Sequence, residues 1–172
     1  MPATSGMPKP VDPGAGGCGR VVGIYVAARP GQLPRAVAEA ELRAGRGLVG
    51  DRYEAGLGTW SAWPGSGRAV TLIAAEVLEQ MPAACRIGAA EARRNLVTRG
   101  VDLDALVGCD FRIGEVWLRG RRPCEPCAHL ERLTRPGVAA ALAGRGGLRA
   151  DVLAGGRIRL GDPLVAGHLA GR

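Results

Sequence analysis

The sequence predicts a mainly β, barrel-like domain with about three short helices inserted. Short β-branched and apolar runs recur along the chain, and Gly or Pro punctuates the gaps between them. A length of 172 residues suits a single core that buries roughly two-thirds of the unfolded surface. No internal repeat is visible.

Residues 1–19 hold Pro2, Pro8, Pro10, Pro13 and a cluster at Gly14, Gly16 and Gly17, with almost nothing apolar to bury, and are expected to form a flexible tail. The domain is expected over 20–166, with 167–172 a second short tail. Val21, Val22, Ile24, Tyr25 and Val26 make the first strand, bounded by Arg29-Pro30-Gly31. Residues 37–43 suit a helix by propensity or a strand by alternation, and the strand is preferred. Residues 70–73 read as a strand. Ala74, Val77, Leu78 and Met81 then follow at the spacing of a helix face, which Pro82 ends. Between them, 54–68 carries four glycines and Pro64 around Trp60 and Trp63, which reads either as a binding loop or lid or as a mobile loop with one tryptophan folded onto the core. Further strands are expected at 95–98, 111–113, 116–119, 151–153 and 158–160. Gly114-Glu115 marks a turn or bulge, because the apolar parity changes across it. Gly155-Gly156 predicts a hairpin.

The net charge of +7 raises polyanions as partners. Lys9 is the only lysine among 23 cationic residues, the arginines are scattered, and aromatics for base stacking are few, so no nucleic-acid partner is expected. Arginines serving a phosphorylated cofactor fit better. Five cysteines, an odd number, and no apolar targeting segment point to a reducing cytoplasm. No apolar run approaches the ~18 residues of a membrane span, so no membrane partner is expected.

The densest chemistry lies at Cys124-Glu125-Pro126-Cys127, where an apparent strand runs out into a Pro-bearing turn. A thiolate there can hold a soft metal or carry sulfur, and Arg121, Arg122 and Arg132 would favour ionisation if the fold brings them near. A closed zinc site wants four ligands, and no second Cys-x-x-Cys exists. A dithiol redox or interaction module that works without molybdenum remains an open reading, although the βαβ unit of thioredoxin-like proteins is not evident. Cys85 and Cys109 read as small apolar residues. His129 is either a proton donor near the thiols or a surface histidine, and His168 reads as inert.

Taken in order, Gly50-Asp51-Arg52, Arg94-Asn95-Leu96-Val97, Gly100, Leu106-Val107-Gly108, Ile113-Gly114, Pro123-Cys124-Glu125-Pro126-Cys127 and Gly156-Arg157-Ile158-Arg159-Leu160-Gly161-Asp162 resemble the MOSC domain family, the domain at the C-terminus of molybdenum cofactor sulfurases. The series runs from about Arg20 to Val165. The resemblance implies a partly closed β-barrel of the MOSC, pyruvate-kinase β-barrel-like kind with a few short α-helices. It also implies a cleft that holds a molybdopterin-type molybdenum cofactor or passes sulfur through a family cysteine. Cys127, ten residues before the turn glycine Gly137, matches that cysteine as molybdenum ligand or persulfide carrier, with Cys124 as its catalytic partner in resolving or releasing sulfur. The Arg-x-Asn element falls on Arg93 or Arg94 with Asn95, beside the cofactor.

Gly50, Asp51 and Arg52 are expected at the cofactor as well, either facing it or forming a structural turn that Asp51 caps. The small stand-alone bacterial members are the most similar in kind, and some of these act on N-hydroxylated bases. Such activity would need a separate electron-donating reductase, and sulfur relay would need a cysteine desulfurase, since neither a flavin motif nor an extra domain is seen. Pyridoxal phosphate is expected only through such a partner, because the one lysine lies in the presumed tail. Tyr53 stands where those members usually carry histidine, so that histidine's role does not transfer.

Overall fold

A computed structural model of the chain describes residues 19–59, 61–62 and 65–169. Trp60, Trp63 and nearly all of the expected N-terminal tail lie outside the described residues, as do the last three positions of the expected C-terminal one.

Strand β1 (Gly19–Val26) opens the barrel. Two-residue β2 (Arg35–Ala36) pairs onto its end, and β3 (Glu39–Arg43) and β4 (Gly47–Leu48) follow, so the strand preferred for 37–43 forms over 39–43, after a bend at Ala38. Next come β5 (Val70–Ala74), β6 (Leu96–Arg99), β7 (Asp110–Ile113), β8 (Val116–Pro123), β9 (Leu148–Ala154), β10 (Gly156–Arg159) and β11 (Pro163–Ala166). Seven of these form a closed ring in the order β1, β11, β7, β8, β9, β5, β6 and back to β1. Gly19↔Leu164 and Arg20↔Pro163 pair the first strand of the ring with the last. Closure leaves neither of these strands with an open edge over that stretch.

Alternation builds the core. On β9, Leu148, Ala150 and Val152 are buried while Arg149 and Asp151 are only partly so, and on β8 Val116, Leu118 and Gly120 alternate with Trp117 and Arg119 in the same way. The inward residues meet Val21, Ile24, Leu72, Leu96 and Phe111 in one cluster that fills the barrel. Each such aliphatic or aromatic side chain contributes about 1.5–3 kcal/mol by leaving water.

The single parallel pair, β5 with β6, requires a long crossover, because parallel neighbours cannot be joined by a tight turn. That crossover contains α1 (Ala75–Glu79) and a short 3-10 helix at Ala83–Cys85. Leu78, Met81, Cys85 and Ile87 pack there with Leu130 of α2 (Ala128–Leu133) and Val138 and Leu142 of α3 (Val138–Leu142). Ile73 and Val97, facing outward from β5 and β6, complete this second cluster on the outer wall of the barrel. Among the described residues there are three α-helices, none long and apolar enough to cross a membrane.

Gly114-Glu115 is the turn of the β7–β8 hairpin, with Ile113 opposite Val116. The hairpin expected at Gly155-Gly156 does not form. β10 instead leaves the barrel and pairs with β3, Gly156 opposite Leu42 and Arg159 opposite Glu39, in a separate three-stranded sheet. The reason is close approach: a Cβ at Gly155 would collide with the Leu42 carbonyl, so these glycines let the chain pass tightly over β3.

Candidate functional site

Val70, Leu72, Leu148 and Ala150 point into the barrel, so their neighbours Thr71 and Arg149, cross-strand partners on β5 and β9, face outward. A cleft opens on this outer wall. The barrel interior is filled by the hydrophobic core, so the cleft lies on the side of the barrel. Residues just before β6, the turn after β4, the loop after β8 and the start of α2 enclose about 640 Å³, open solvent at the entrance included.

Both thiols of the Cys-x-x-Cys segment line the cleft. Cys124 is 1% exposed, and its N–H donates to the Gly147 carbonyl at 2.7 Å. Cys127 is exposed, in extended conformation (φ −133°, ψ 164°) directly before α2, and its carbonyl accepts from the Glu131 N–H at 3.2 Å. His129 and Leu130, in the first turn of α2, form the wall beside it. Among the described residues, no three His, Cys, Asp or Glu side chains gather into a metal-binding group.

Four arginines line the cleft, and the structure gives each a different attachment. Arg94, 7% exposed, donates from Nε to the Gly146 carbonyl (3.0 Å), from Nη1 to Ala92 (3.0 Å) and from Nη2 to Cys124 (3.2 Å). Arg52 lies 3.6 Å from the Asp51 carboxylate and stacks 5.0 Å from the centre of the Tyr53 ring, a cation–π arrangement. Arg93 and Arg149 make no ion pair among the described residues. Arg93 is also the one non-glycine described residue with positive φ, at 58°, a left-handed strain that concentrates at functional sites. Burial and then the charge of Arg52 lower the Arg93 pKa from its ordinary value, with Tyr53 and Asp51 opposing. An arginine stays protonated through such a shift, which leaves a half-buried cation with no counter-ion.

Asp51 and Asn95 are tied into one network behind these side chains. The buried Asp51 carboxylate accepts from the Ala27 N–H (3.1 Å), the Tyr53 N–H (3.1 Å) and the Asn95 amide (3.3 Å). Asn95 in turn accepts from the Thr71 N–H and hydroxyl, both at 3.1 Å, and also donates to the Tyr25 carbonyl at 3.4 Å. Its amide is fully engaged within the protein. Of the Gly50-Asp51-Arg52 turn, only Arg52 lines the cleft: Asp51 caps backbone, and Gly50, at φ 83°, supplies the turn.

The fold thus brings together Arg52, Arg93, Arg94, Asn95, Cys124 and Cys127. It does not bring Arg121, Arg122 or Arg132 into the lining, and Arg121 is ion-paired with Asp151 at 2.7 Å. Arg149, Thr71 and Thr59 also line the cleft, although no sequence motif names them, as does Glu125 from within the Cys-x-x-Cys segment. Alternation from Leu148 to Val152 was the signal for Arg149.

A closed seven-stranded barrel with a thiol- and arginine-lined cleft on its wall defines the class of protein. The family model of the MOSC domain matches residues 61–165, more than half of the chain, and the chain belongs to that family. The crystal structure of the YuaD protein from Bacillus subtilis is similar with a TM-score of 0.71 at 18% identity, covering 88% of this chain and 97% of that one. YiiM from Escherichia coli gives 0.61 at 22% identity, over 89% of this chain and 72% of that one. YiiM from Geobacillus stearothermophilus gives 0.63 at 20%, over 87% and 75%. At these identities the likeness is one of fold. No curated protein matches the sequence.

Proposed function

We propose that the cleft binds a molybdenum cofactor or relays sulfur to one, with Cys127 as the working thiol. The observation that carries this reading is an exposed cysteine in the same cleft as two arginines that make no ion pair among the described residues. Glu125 is the one acid among the described lining residues, and it already accepts from the Gly144 N–H at 3.2 Å. The lining is therefore net cationic and suits an anionic group.

Arg93 and Arg149 would hold the phosphate of such a cofactor, since guanidinium recognises phosphate through paired N–H donors. Arg52, fixed by Asp51 and Tyr53, would add charge on one side. Cys127 would supply the thiolate, as a ligand to the metal or as the sulfur that receives a persulfide from a desulfurase. Bound molybdenum would supply oxygen-atom transfer, with electrons delivered by a separate reductase, and N-hydroxylated bases are the proposed substrates. Asn95 and Asp51 would act from behind by keeping Arg52, Thr71 and the start of β6 in place.

Expression in a host that makes molybdopterin, followed by elemental analysis and cyanolysis of bound sulfur, tests the reading. Near-stoichiometric molybdenum, or one labile sulfur per chain, is expected in the wild type and absent from Cys127→Ser. Wild-type protein with neither would reject it.

A further inference from the structure

We infer that Arg94 is a positioning residue for Cys127, a clamp that fixes the Cys-x-x-Cys loop against the barrel wall. For its functional consequence this rests on Cys127 being the working thiol; the geometry itself does not. The Arg94 guanidinium joins two chain segments: Nε holds the Gly146 carbonyl and Nη2 the Cys124 carbonyl, while Nη1 returns to Ala92 beside its own backbone. Cys124 is thereby tied at both backbone groups, its N–H to Gly147 and its carbonyl to Arg94.

The loop also sits directly on Gly146. A Cβ there would overlap the Cys124 carbonyl oxygen and come within 3.0 Å of the Pro126 ring. The chain surfaces at once on either side of this fixed point, at Pro123 and Glu125, and Cys127, three residues on, is exposed at the head of α2. The division between neighbours follows. Arg93, whose side chain makes no hydrogen bond among the described residues, lines the cleft, whereas Arg94 has buried its donors in carbonyls and sets where the thiol stands. Lysine cannot substitute, because one ammonium on a flexible stem does not present a planar fork to three fixed acceptors.

The cysteines are built-in reporters of this clamp. Folded protein is pulsed with iodoacetamide and the labelled peptides are mapped for the wild type, Arg94→Lys, Gly146→Ala and the control Arg93→Lys. In the wild type, Cys127 is expected to react while Cys124 and Cys85 stay protected. In Arg94→Lys and Gly146→Ala, Cys124 labelling is expected to rise at least about tenfold, as loss of hydrogen bonds from a charged donor opens the loop locally. Cys85, buried in the helical layer, is expected to keep its wild-type rate, and Arg93→Lys to leave both unchanged.

Cys124 remaining as protected in Arg94→Lys as in the wild type would overturn the inference. So would Cys85 and Cys124 becoming reactive together, since Arg94 would then serve the whole fold rather than the loop. Should the variants fail to fold, hydrogen exchange on the wild type decides: a Cys124 amide protected to the level of the barrel strands supports the clamp, and one exchanging like an exposed turn refutes it. None of these readouts needs a bound cofactor, so they can fail while Cys127 still carries molybdenum or sulfur.

Discussion

On the three-stranded sheet, Arg157 and Arg159 both reach Glu39, at 3.3 and 3.2 Å, and Arg43 reaches Glu54 at 3.3 Å. At the cleft, Arg93 and Arg149 pair with no carboxylate among the described residues: the lining acid Glu125 accepts from the Gly144 N–H, and Asp51 behind the lining is buried and already shared among backbone N–H groups, Asn95 and Arg52. The same residue type therefore has two fates. On the sheet, the solvated pairs at Glu39 are screened and worth little, about 0–1 kcal/mol each. In the cleft, half-buried cations are left without partners, an arrangement that a folded chain retains at a cost and that an anionic ligand would relieve. The net charge of +7 says nothing of this distinction, which depends on where acids fall in the fold.

Asp51 and Glu39 provide the largest contrast. Removing the Asp51 carboxylate in Asp51→Ala leaves Ala27 and Tyr53 N–H groups, the Asn95 amide and Arg52 without their acceptor, and is expected to cost about 3–5 kcal/mol. Glu39→Gln, on exposed pairs, is expected to change stability by less than about 0.5 kcal/mol. Urea unfolding of the two variants measures both, and equal losses would break the comparison.

Arg93 sharpens it. Arg93→Gly removes the cleft cation and also the left-handed strain at φ 58°, so binding of a phosphomonoester is expected to weaken roughly tenfold while stability holds or rises by up to about 1 kcal/mol. Calorimetric titration and thermal unfolding read the two effects. A variant that lost stability without losing affinity would assign Arg93 to structure.

Glu91, exposed and paired with Arg135, gives the smallest effect. Its pKa is lowered first by the Gly88 N–H hydrogen bond, with Arg135 contributing less, against the opposing effect of burial. A carboxylate with a depressed folded pKa contributes stability above its unfolded value, near 4.5, and loses it as the pH falls through the lower folded one. Glu91→Gln should therefore narrow the wild type's acid-induced loss below about pH 4.5 by no more than about 0.5 kcal/mol, leaving the slope at neutral pH unchanged. Urea midpoints across that range check it.

Much of the barrel was legible because its strands are short β-branched or alternating runs, as in Val21 to Val26 and Val116 to Leu118, whose local pattern survives folding. The Gly155-Gly156 hairpin was misread for a physical reason: a glycine pair signals a change of direction, but which strand receives the chain is a long-range matter, and β3 lies more than a hundred residues earlier. Arg149 falls outside the strand expected at 151–153, because β9 begins three residues earlier, at Leu148. Arg93 and Arg94 could not be told apart in sequence. They are identical side chains on adjacent positions, and only the left-handed backbone at Arg93 and the carbonyls around Arg94 separate them. Cys127 was legible by its motif, and its exposure beside a buried Cys124 was not.

Native mass spectrometry of the protein purified from a host that makes molybdopterin, beside Cys127→Ser from the same host, tests the central claim most directly. The account predicts that the wild type carries the added mass of a molybdenum-bound pterin or of a sulfur atom and that the variant lacks it. Wild type and variant both at the mass of the bare chain, or both carrying the same addition, would contradict it.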